Sequence, residues 1–339
     1  MPILHPIHHN PKLNDWLVGQ GASPELRQTV LAMAAATAAI AGEIRQLALE
    51  GTAGLESGIT NVQGETQLKL DDVCNQLCLD LLQQVPVVRY LVSEEIDHVI
   101  TNINAPGEHD YAVCFDPLDG SGNIATNNTI GTVFSVLDCT SAKGDAEQRV
   151  LSSTRNQLAA GYALYGPATL LVLTTGKSVA KFALNEMTRL FELVRDDIRI
   201  APDAAEFSIN MSYASFWPRP VRAYVRNCVA GASGPRGKAF NMRWAGAMVA
   251  DMHRVFIKGG HFIYPAMPKK GEPDGKLRLL YEGIPMAMLA EAAGGAAMAG
   301  GERLRDVVPT SIHQRTPVSL GARNEVNLLA GMPDVVKAA

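Results

Sequence analysis

Between residues 87 and 194 the chain carries a succession of short apolar runs: Val87 to Val92, Tyr111 to Phe115, Ile130 to Leu137, Leu158 to Tyr165, Ala168 to Thr174, Ser178 to Leu184 and Leu190 to Val194. Runs of this length and composition read as strands, and strands joined through short turns argue for an antiparallel or mixed sheet flanked by helices. Upstream, Ser23-Pro24-Glu25 combines an N-cap, a first-turn proline and an acid near the positive helix end. It predicts a long helix towards Glu50, stopped by Gly51, with Leu26, Val30, Ala34, Ile44 and Leu47 on its apolar face and Gly42 as a point of bending. A second helix is predicted from about Asp71 to Gln84, where apolar residues recur at three- and four-residue spacing.

After Arg195-Asp-Asp the pattern alternates between helix and strand. A helix is predicted from about Arg243 to Lys258, ended by Gly259-Gly260, then strands at His261 to Tyr264 and Leu277 to Tyr281, a helix at Pro285 to Ala293 and a strand at Pro317 to Leu320. At 339 residues the chain exceeds the size at which one core usually keeps growing. Two packed domains or one large layered domain are expected; the change of pattern favours two units, 1–198 and 199–339, and with no repeat or low-complexity linker between them they should pack closely.

With 47% hydrophobic and 19% charged residues the composition is that of an ordinary globular protein. The net charge of −4 supplies no basic field, so no nucleic-acid partner is expected and any phosphate must be held by local cations. The longest apolar run, Val30 to Ala41, falls short of the about 20 residues a bilayer needs, so no membrane partner is expected either. Five cysteines without paired spacing and no secretory start point to a reducing, cytoplasmic setting. Cys74 and Cys78 lie on a helical stripe as small core residues, and His5, His8 and His9 read as a loose tail.

The chemistry concentrates where apolar strands run into acids. Leu91-Val-Ser-Glu94-Glu95 ends in two adjacent carboxylates, and Tyr111-Ala-Val-Cys-Phe-Asp116-Pro-Leu-Asp119-Gly-Ser121 places two aspartates three apart on a turn shaped by proline and glycine. Tyr281-Glu282 ends a third predicted strand. Carboxylates gathered at strand ends repel one another unless a hard cation such as Mg²⁺ neutralises them. Gly120 lets backbone N–H groups approach an anion, and Ser121 adds a hydroxyl. A calcium loop fits poorly, because Pro117 and Leu118 stand where acidic ligands would alternate. Thr175-Gly176-Lys177-Ser178 resembles half a phosphate loop but reads better as a hairpin turn, and Gly19-Gln-Gly21 lacks the third glycine of a dinucleotide fingerprint.

Ser-Glu-Glu followed by Asp-Pro-Leu-Asp-Gly-Ser resembles the metal-dependent, lithium-sensitive phosphatase superfamily. More narrowly, Gly275-Lys-Leu-Arg-Leu-Leu-Tyr-Glu282-Gly-Ile-Pro-Met-Ala287 resembles the signature of class I fructose-1,6-bisphosphatases. Phe207-Ser-Ile-Asn210, Val249-Ala-Asp-Met-His-Arg254, Phe262-Ile-Tyr264-Pro and Ile312-His-Gln-Arg315 are similar to further family stretches. The resemblance implies an α/β, layered αβαβα sandwich of two packed halves and Mg²⁺-dependent hydrolysis of the 1-phosphate of fructose 1,6-bisphosphate. It implies two to three Mg²⁺ per subunit, with Mn²⁺ as a substitute: Asp116, Asp119 and Glu282 around one, Glu94, Asp116 and the Leu118 carbonyl around a second. Glu65, which stands where the family has an aspartate on a mobile loop, completes a third position, with Asn61 on the same loop. Asp71 and Glu95 match carboxylates that orient and deprotonate the attacking water.

The same resemblance assigns substrate contacts to Asp119, Gly120, Ser121, Gly122, Asn210, Tyr213, Trp244, Met248, Tyr264, Lys276 and Arg278. Arg243 matches an arginine that reaches into a neighbouring subunit's site, implying a homotetramer or homodimer. Around the substrate, three positions depart from the family: Trp244 replaces an aromatic hydroxyl, Gly122 a serine and Ala125 an aspartate. These leave open a sedoheptulose-1,7-bisphosphatase or dual-specificity enzyme, or a non-catalytic metabolite sensor. Family members bind AMP through a lysine just before the tyrosine of the Tyr111 strand and an arginine just after the next strand. Those positions hold Asp110, beside Tyr111, and Asp138, so AMP insensitivity is expected, with a nearby cation such as Lys143 as the compensation that would restore binding.

Overall fold

The computed structural model describes residues 10–49, 56–60, 66–105 and 109–333. Helices α1 (Leu13–Gly19) and α2 (Pro24–Leu49) precede a hairpin of β1 (Glu56–Thr60) and β2 (Thr66–Leu68), and helix α3 (Lys69–Leu82) follows. Next come β3 (Val88–Ser93), β4 (Ile100–Thr101), β5 (Tyr111–Asp119), β6 (Ile130–Asp138), helix α4 (Ala146–Ser152), β7 (Gln157–Tyr165), β8 (Thr169–Thr174), β9 (Val179–Asn185) and β10 (Leu190–Arg195). Strands β3 to β10 form one eight-stranded sheet in the order β10-β9-β8-β7-β6-β5-β3-β4. Every pairing in it is antiparallel except β3 with β5, so of the antiparallel and mixed arrangements left open by the succession of strands the sheet is mixed.

The remainder builds a second sheet from β11 (Glu206–Ser208), β12 (Asn241–Met242), β13 (His261–Tyr264), β15 (Ala296–Ala299), β16 (Glu302–Arg303) and β18 (Val318–Gly321), ordered β12-β11-β13-β18-β15-β16. A small ladder pairs β14 (Leu277–Arg278) with β17 (Arg315–Thr316). Helices α6 (Met248–Lys258) and α7 (Ile284–Ala292) touch both sheets, while α5 (Arg219–Val229) and α8 (Arg323–Ala330) touch each other and α8 covers the far face of the second sheet. Helices α2 and α3 cover the outer face of the first sheet. The layers therefore run α, β, α, β, α, as the resemblance implies.

The middle layer explains why α7 is apolar all round. Residues Ile284 through Ala290 are all buried, as a helix enclosed by two sheets requires. Helix α2 passes unbroken through Gly42, beside the Arg189 guanidinium. By length and composition α2 is long enough to cross a membrane, which the Val30 to Ala41 run alone does not indicate. In the fold its Leu26, Val30, Met33, Ala34 and Ile40 are buried in one cluster with sheet residues such as Leu171 and Phe182. Thr174 to Val179 is the β8–β9 hairpin, consistent with reading Thr175-Gly-Lys-Ser as a turn. All five cysteines are free and buried.

Three local differences from the sequence reading matter for the site. Strand β5 does not stop at Phe115 but continues to Asp119: Asp116 faces Val133 and Asp119 faces Gly131, so one extra residue bulges between them. Pro117 has no N–H to give a ladder and is accommodated in that bulge, where its carbonyl accepts from Thr132 Oγ1 at 2.8 Å. The predicted strand to Tyr281 ends instead at Arg278 and becomes a π-helical turn, Leu279–Gly283, buried throughout. Helix α6 begins at Met248 rather than Arg243, because Gly246 takes a left-handed φ of 84° and Ala247 is extended.

Candidate metal and phosphate site

Three chain segments bring the acids together. Beyond β3, Glu94 N–H donates to the Phe115 carbonyl at 3.2 Å, and Glu95 N–H to Ser93 Oγ at 3.2 Å, with Ser93 in turn donating to Asn75 at 2.7 Å. In the β5 bulge, Asp116 Oδ1 accepts from Leu118 N–H at 2.9 Å. Asp119 Oδ2 accepts from Val249 N–H at 2.7 Å in the first turn of α6, where an anion meets the positive helix end. From the π-helical turn, Glu282 Oε2 accepts from Arg278 N–H at 2.5 Å. One carboxylate oxygen each from Asp116, Asp119 and Glu282 lies within 4.8 Å of the others, and all three residues are buried. Arg278 Nη2 stands 3.1 Å from Glu94 Oε1.

Burial and mutual repulsion work against ionising this trio. Burial, reinforced by Glu94, Asp119 and Glu282, raises the Asp116 carboxyl well above its ordinary range. Burial pushes Asp119 up to about 7 against the lowering effect of the Val249 N–H, with Glu94 and Asp251 adding to the rise. Glu282 rises to about 8 through burial, opposed by Arg278 and assisted by Glu94 and Asp119. Three oxygen donors that hold protons near neutrality, spaced to converge on one point, suit a hard divalent cation whose charge replaces those protons.

The trio forms one side of a cleft of about 360 Å³. Asp71, Glu94, Glu95, Leu118 and Gly120 to Gly122 share its walls with Asn210, Tyr213, Trp244, Met248, Tyr264, Lys276 and Arg278. Residues as far apart in sequence as Asp71 and Glu282 thus meet in one concavity. Gly120 is left-handed at φ 81° and packs so tightly that a Cβ there would lie 2.3 Å from the Ala247 Cβ. On the side of the cleft away from the trio the Trp244 indole stacks on Phe262 with centroids 6.2 Å apart and planes 1° apart, and leans against Tyr264 at 6.3 Å. The Lys270 ammonium sits 4.2 Å over the Tyr213 ring. Asn210 commits its Oδ1 to Ser212 N–H and Oγ, which makes its amide nitrogen the group to offer an anion.

Arg243 does not line this chain's own cleft. It is exposed, donates to the Met242 carbonyl at 3.2 Å and borders a shallow depression with Glu206 and Arg254. Asn61 and Glu65 lie outside the described residues. Asp110, Tyr111 and Asp138 sit at the opposite end of β5, where Tyr111 faces Asp138 across the ladder. Asp110 there is paired at 3.2 Å with Arg149, a nearby cation of the kind for which Lys143 stood as the example. Sequence reasoning missed Gly246, Phe262 and Leu277 in the cleft wall and Asp251 behind it. Asp251 was legible in two ways: it lies in the family-like stretch Val249 to Arg254, and it is an acid on the inward stripe of α6, between Met248 and Val255.

A buried oxygen trio facing hydroxyls, amides and cations across one cleft, held between two sheets in an αβαβα sandwich, defines a phosphate-ester site of the metal-dependent phosphatase type. Family profiles match over nearly the whole chain: fructose-1-6-bisphosphatase N-terminal domain at residues 15–196 and C-terminal domain at residues 200–333. The class 1 fructose-1,6-bisphosphatase of Shewanella oneidensis is 48% identical over 312 residues, 92% of this chain and 94% of the relative. That of Shewanella frigidimarina is 47% identical over 308 residues, 91% and 92% of the two chains. The crystal structure of Leishmania major fructose-1,6-bisphosphatase in holo form superposes with a TM-score of 0.87 at 32% identity, covering 94% of this chain and 98% of the other. Its apo form gives 0.80 at 30% identity over the same shares. The chain belongs to the class 1 fructose-1,6-bisphosphatase family.

Proposed function

We propose that this protein hydrolyses the 1-phosphate of fructose 1,6-bisphosphate to fructose 6-phosphate and inorganic phosphate. The observation that carries the reading is the convergence of Asp116, Asp119 and Glu282 within 4.8 Å on one side of a cleft whose other side offers hydroxyl, amide and ammonium groups. Asp116, Asp119 and Glu282, with Glu94 and the Leu118 carbonyl, are the ligands for two Mg²⁺, and Glu65 for a third. Bound there, Mg²⁺ or Mn²⁺ supplies neutralisation of phosphate charge and a lowered pKa for water. Asp71 and Glu95 line the same cleft and are the groups that align the attacking water and take its proton. The Gly120-Ser121-Gly122 backbone and hydroxyl meet the reacting phosphate. Asn210, Tyr213, Tyr264 and Lys276 hold the distal one, and Arg278 steadies Glu94.

Residues 1–198 serve as the half bearing most metal ligands and 199–339 as the sugar-phosphate half. The exposed Arg243 is the group offered to a second copy of the chain in a homodimer or homotetramer, and the setting is the cytoplasm. AMP insensitivity follows from Asp110 and Asp138, the nearby Arg149 being already engaged by Asp110. The same cleft, with an acid cluster on one side and hydroxyl, amide and ammonium groups on the other, also suits sedoheptulose 1,7-bisphosphate as a second substrate. Phosphate release from fructose 1,6-bisphosphate, sedoheptulose 1,7-bisphosphate and inositol 1-phosphate, with and without Mg²⁺, tests both. No Mg²⁺-dependent release from either sugar bisphosphate refutes the function and leaves the sensor reading.

A further inference from the structure

Behind the cleft, Asp251 is 3% exposed and takes no part in the acid trio. Its carboxylate accepts from two consecutive backbone donors of the turn that follows Trp244. Ala245 N–H lies 3.0 Å from Oδ1 and 3.2 Å from Oδ2, and Gly246 N–H lies 3.2 Å from Oδ2. Ser208 Oγ donates to Oδ1 at 2.7 Å, anchoring the acid to β11. The same turn is gripped from the other side: Asn123 Nδ2 donates to the Ala245 carbonyl at 3.0 Å and to the Thr129 carbonyl at 3.1 Å. Asn123 belongs to the 3-10 turn Ser121–Thr126 that continues directly from the acidic bulge. One short turn is thus held both by the helix that binds Asp119 and by the segment that carries it.

An aspartate is a demanding choice at this position. Its negative charge raises the carboxyl of the neighbouring Asp119, so for electrostatics alone a neutral residue would serve better. Two adjacent N–H donors and a hydroxyl, however, need an acceptor with two oxygens and no donor of its own, which only a carboxylate provides. The turn lies between Trp244, half-buried on Phe262, and Met248, both in the cleft wall. Resting on the sugar-bisphosphate reading above, we propose that Asp251 is a positioning residue that sets the distance between the acid cluster and the Trp244 wall, and so governs sugar affinity without touching the substrate.

The test compares Asp251→Ala, Asp251→Asn, Asn123→Ala and Ser208→Ala. Asp251→Ala should raise KM for fructose 1,6-bisphosphate by about tenfold while kcat changes less than about threefold, a displaced binding wall acting mainly on KM. Asp251→Asn, which keeps one acceptor oxygen, should give about a threefold rise, and Asn123→Ala a rise in the same direction. Acrylamide quenching of indole fluorescence reads the wall without substrate. Trp16 and Trp217 are 5% and 4% exposed, so the accessible signal is chiefly that of Trp244. Quenching should increase about twofold in Asp251→Ala; if that variant does not fold, Asp251→Asn and Asn123→Ala carry the measurement. Folded Asp251 variants with unchanged KM and unchanged quenching overturn the proposal. So does a Ser208→Ala variant that reproduces the KM shift, since Asp251 would then merely tie α6 to β11. If the wild-type protein hydrolyses no sugar bisphosphate, the functional reading fails, while quenching still decides whether Asp251 holds Trp244.

Discussion

Removing divalent cations should make this protein's stability fall as pH rises, opposite to the usual behaviour of carboxylates held in ion pairs. The ordinary values of Asp119 and Glu282 are 3.8 and 4.5, and the fold raises them to about 7 and about 8. Between these limits the native cluster keeps protons that the unfolded chain has released, so stability is fully present below about pH 4 and is lost progressively up to about pH 8. Each tenfold gain in proton affinity on folding corresponds to about 1.4 kcal/mol. Either rise alone corresponds to on the order of 4 kcal/mol by pH 8, which is the least the cluster should cost the metal-free fold, since the carboxyls titrate as a set. At roughly 2 °C per kcal/mol for a chain of this size, the melting temperature should drop by roughly 5–10 °C. His253 and His261, buried and lowered to about 4 and about 3, act in the opposite direction below about pH 6.5. Scanning calorimetry at pH 5.5, 6.5 and 8.0 in chelator and in Mg²⁺ cancels that contribution, because the histidines act equally in both series. The Mg²⁺-induced rise in melting temperature should be largest at pH 8. The fall in melting temperature between pH 5.5 and 8.0 in chelator should shrink in an Asp119→Asn, Glu282→Gln double variant, which has no proton to lose at those positions. A rise that is constant with pH, or greatest at pH 5.5, would refute the reasoning.

Asp119→Asn and Glu95→Gln should each lower turnover at least about a hundredfold while leaving the fold intact, as assayed by phosphate release and circular dichroism; near-normal turnover in either misplaces the metal or the base. Gly120→Ala forces a residue with a Cβ into φ 81° and against the Ala247 Cβ at 2.3 Å. It should destabilise by about 2–5 kcal/mol and weaken Mg²⁺ binding, both readable in a calorimetric titration and melt. Wild-type protein should show no inhibition at micromolar AMP, and Asp110→Lys should strengthen AMP binding measurably. Micromolar inhibition that Asp110→Lys leaves unaltered argues against the electrostatic explanation.

What the chain's own order determined is local. Apolar runs in tandem specify a sheet, antiparallel or mixed, because a strand's character is written in its own residues. The acids at the ends of the β3 and β5 runs are visible because they stand beside those runs. A proline in the first turn and an acid beside it place the start of α2 to within a residue. Tertiary structure decided the rest. Whether Asp116-Pro-Leu-Asp119 is a loose turn or a bulge in a continuing strand depends on Thr132 and Gly131 opposite, and on the Val249 N–H supplied from 130 positions away. That Glu282 reaches the cluster from a π-helical turn reflects burial on every side, which no periodicity records. The late start of α6, the contact of Gly120 with Ala247, and the hold of Asp251 and Asn123 on the Ala245 turn all arise where the two sheets are pressed together. Propensity and pattern act over a few residues, whereas a buried polar group must be satisfied by whatever the fold brings beside it, and only the packed chain says what that is.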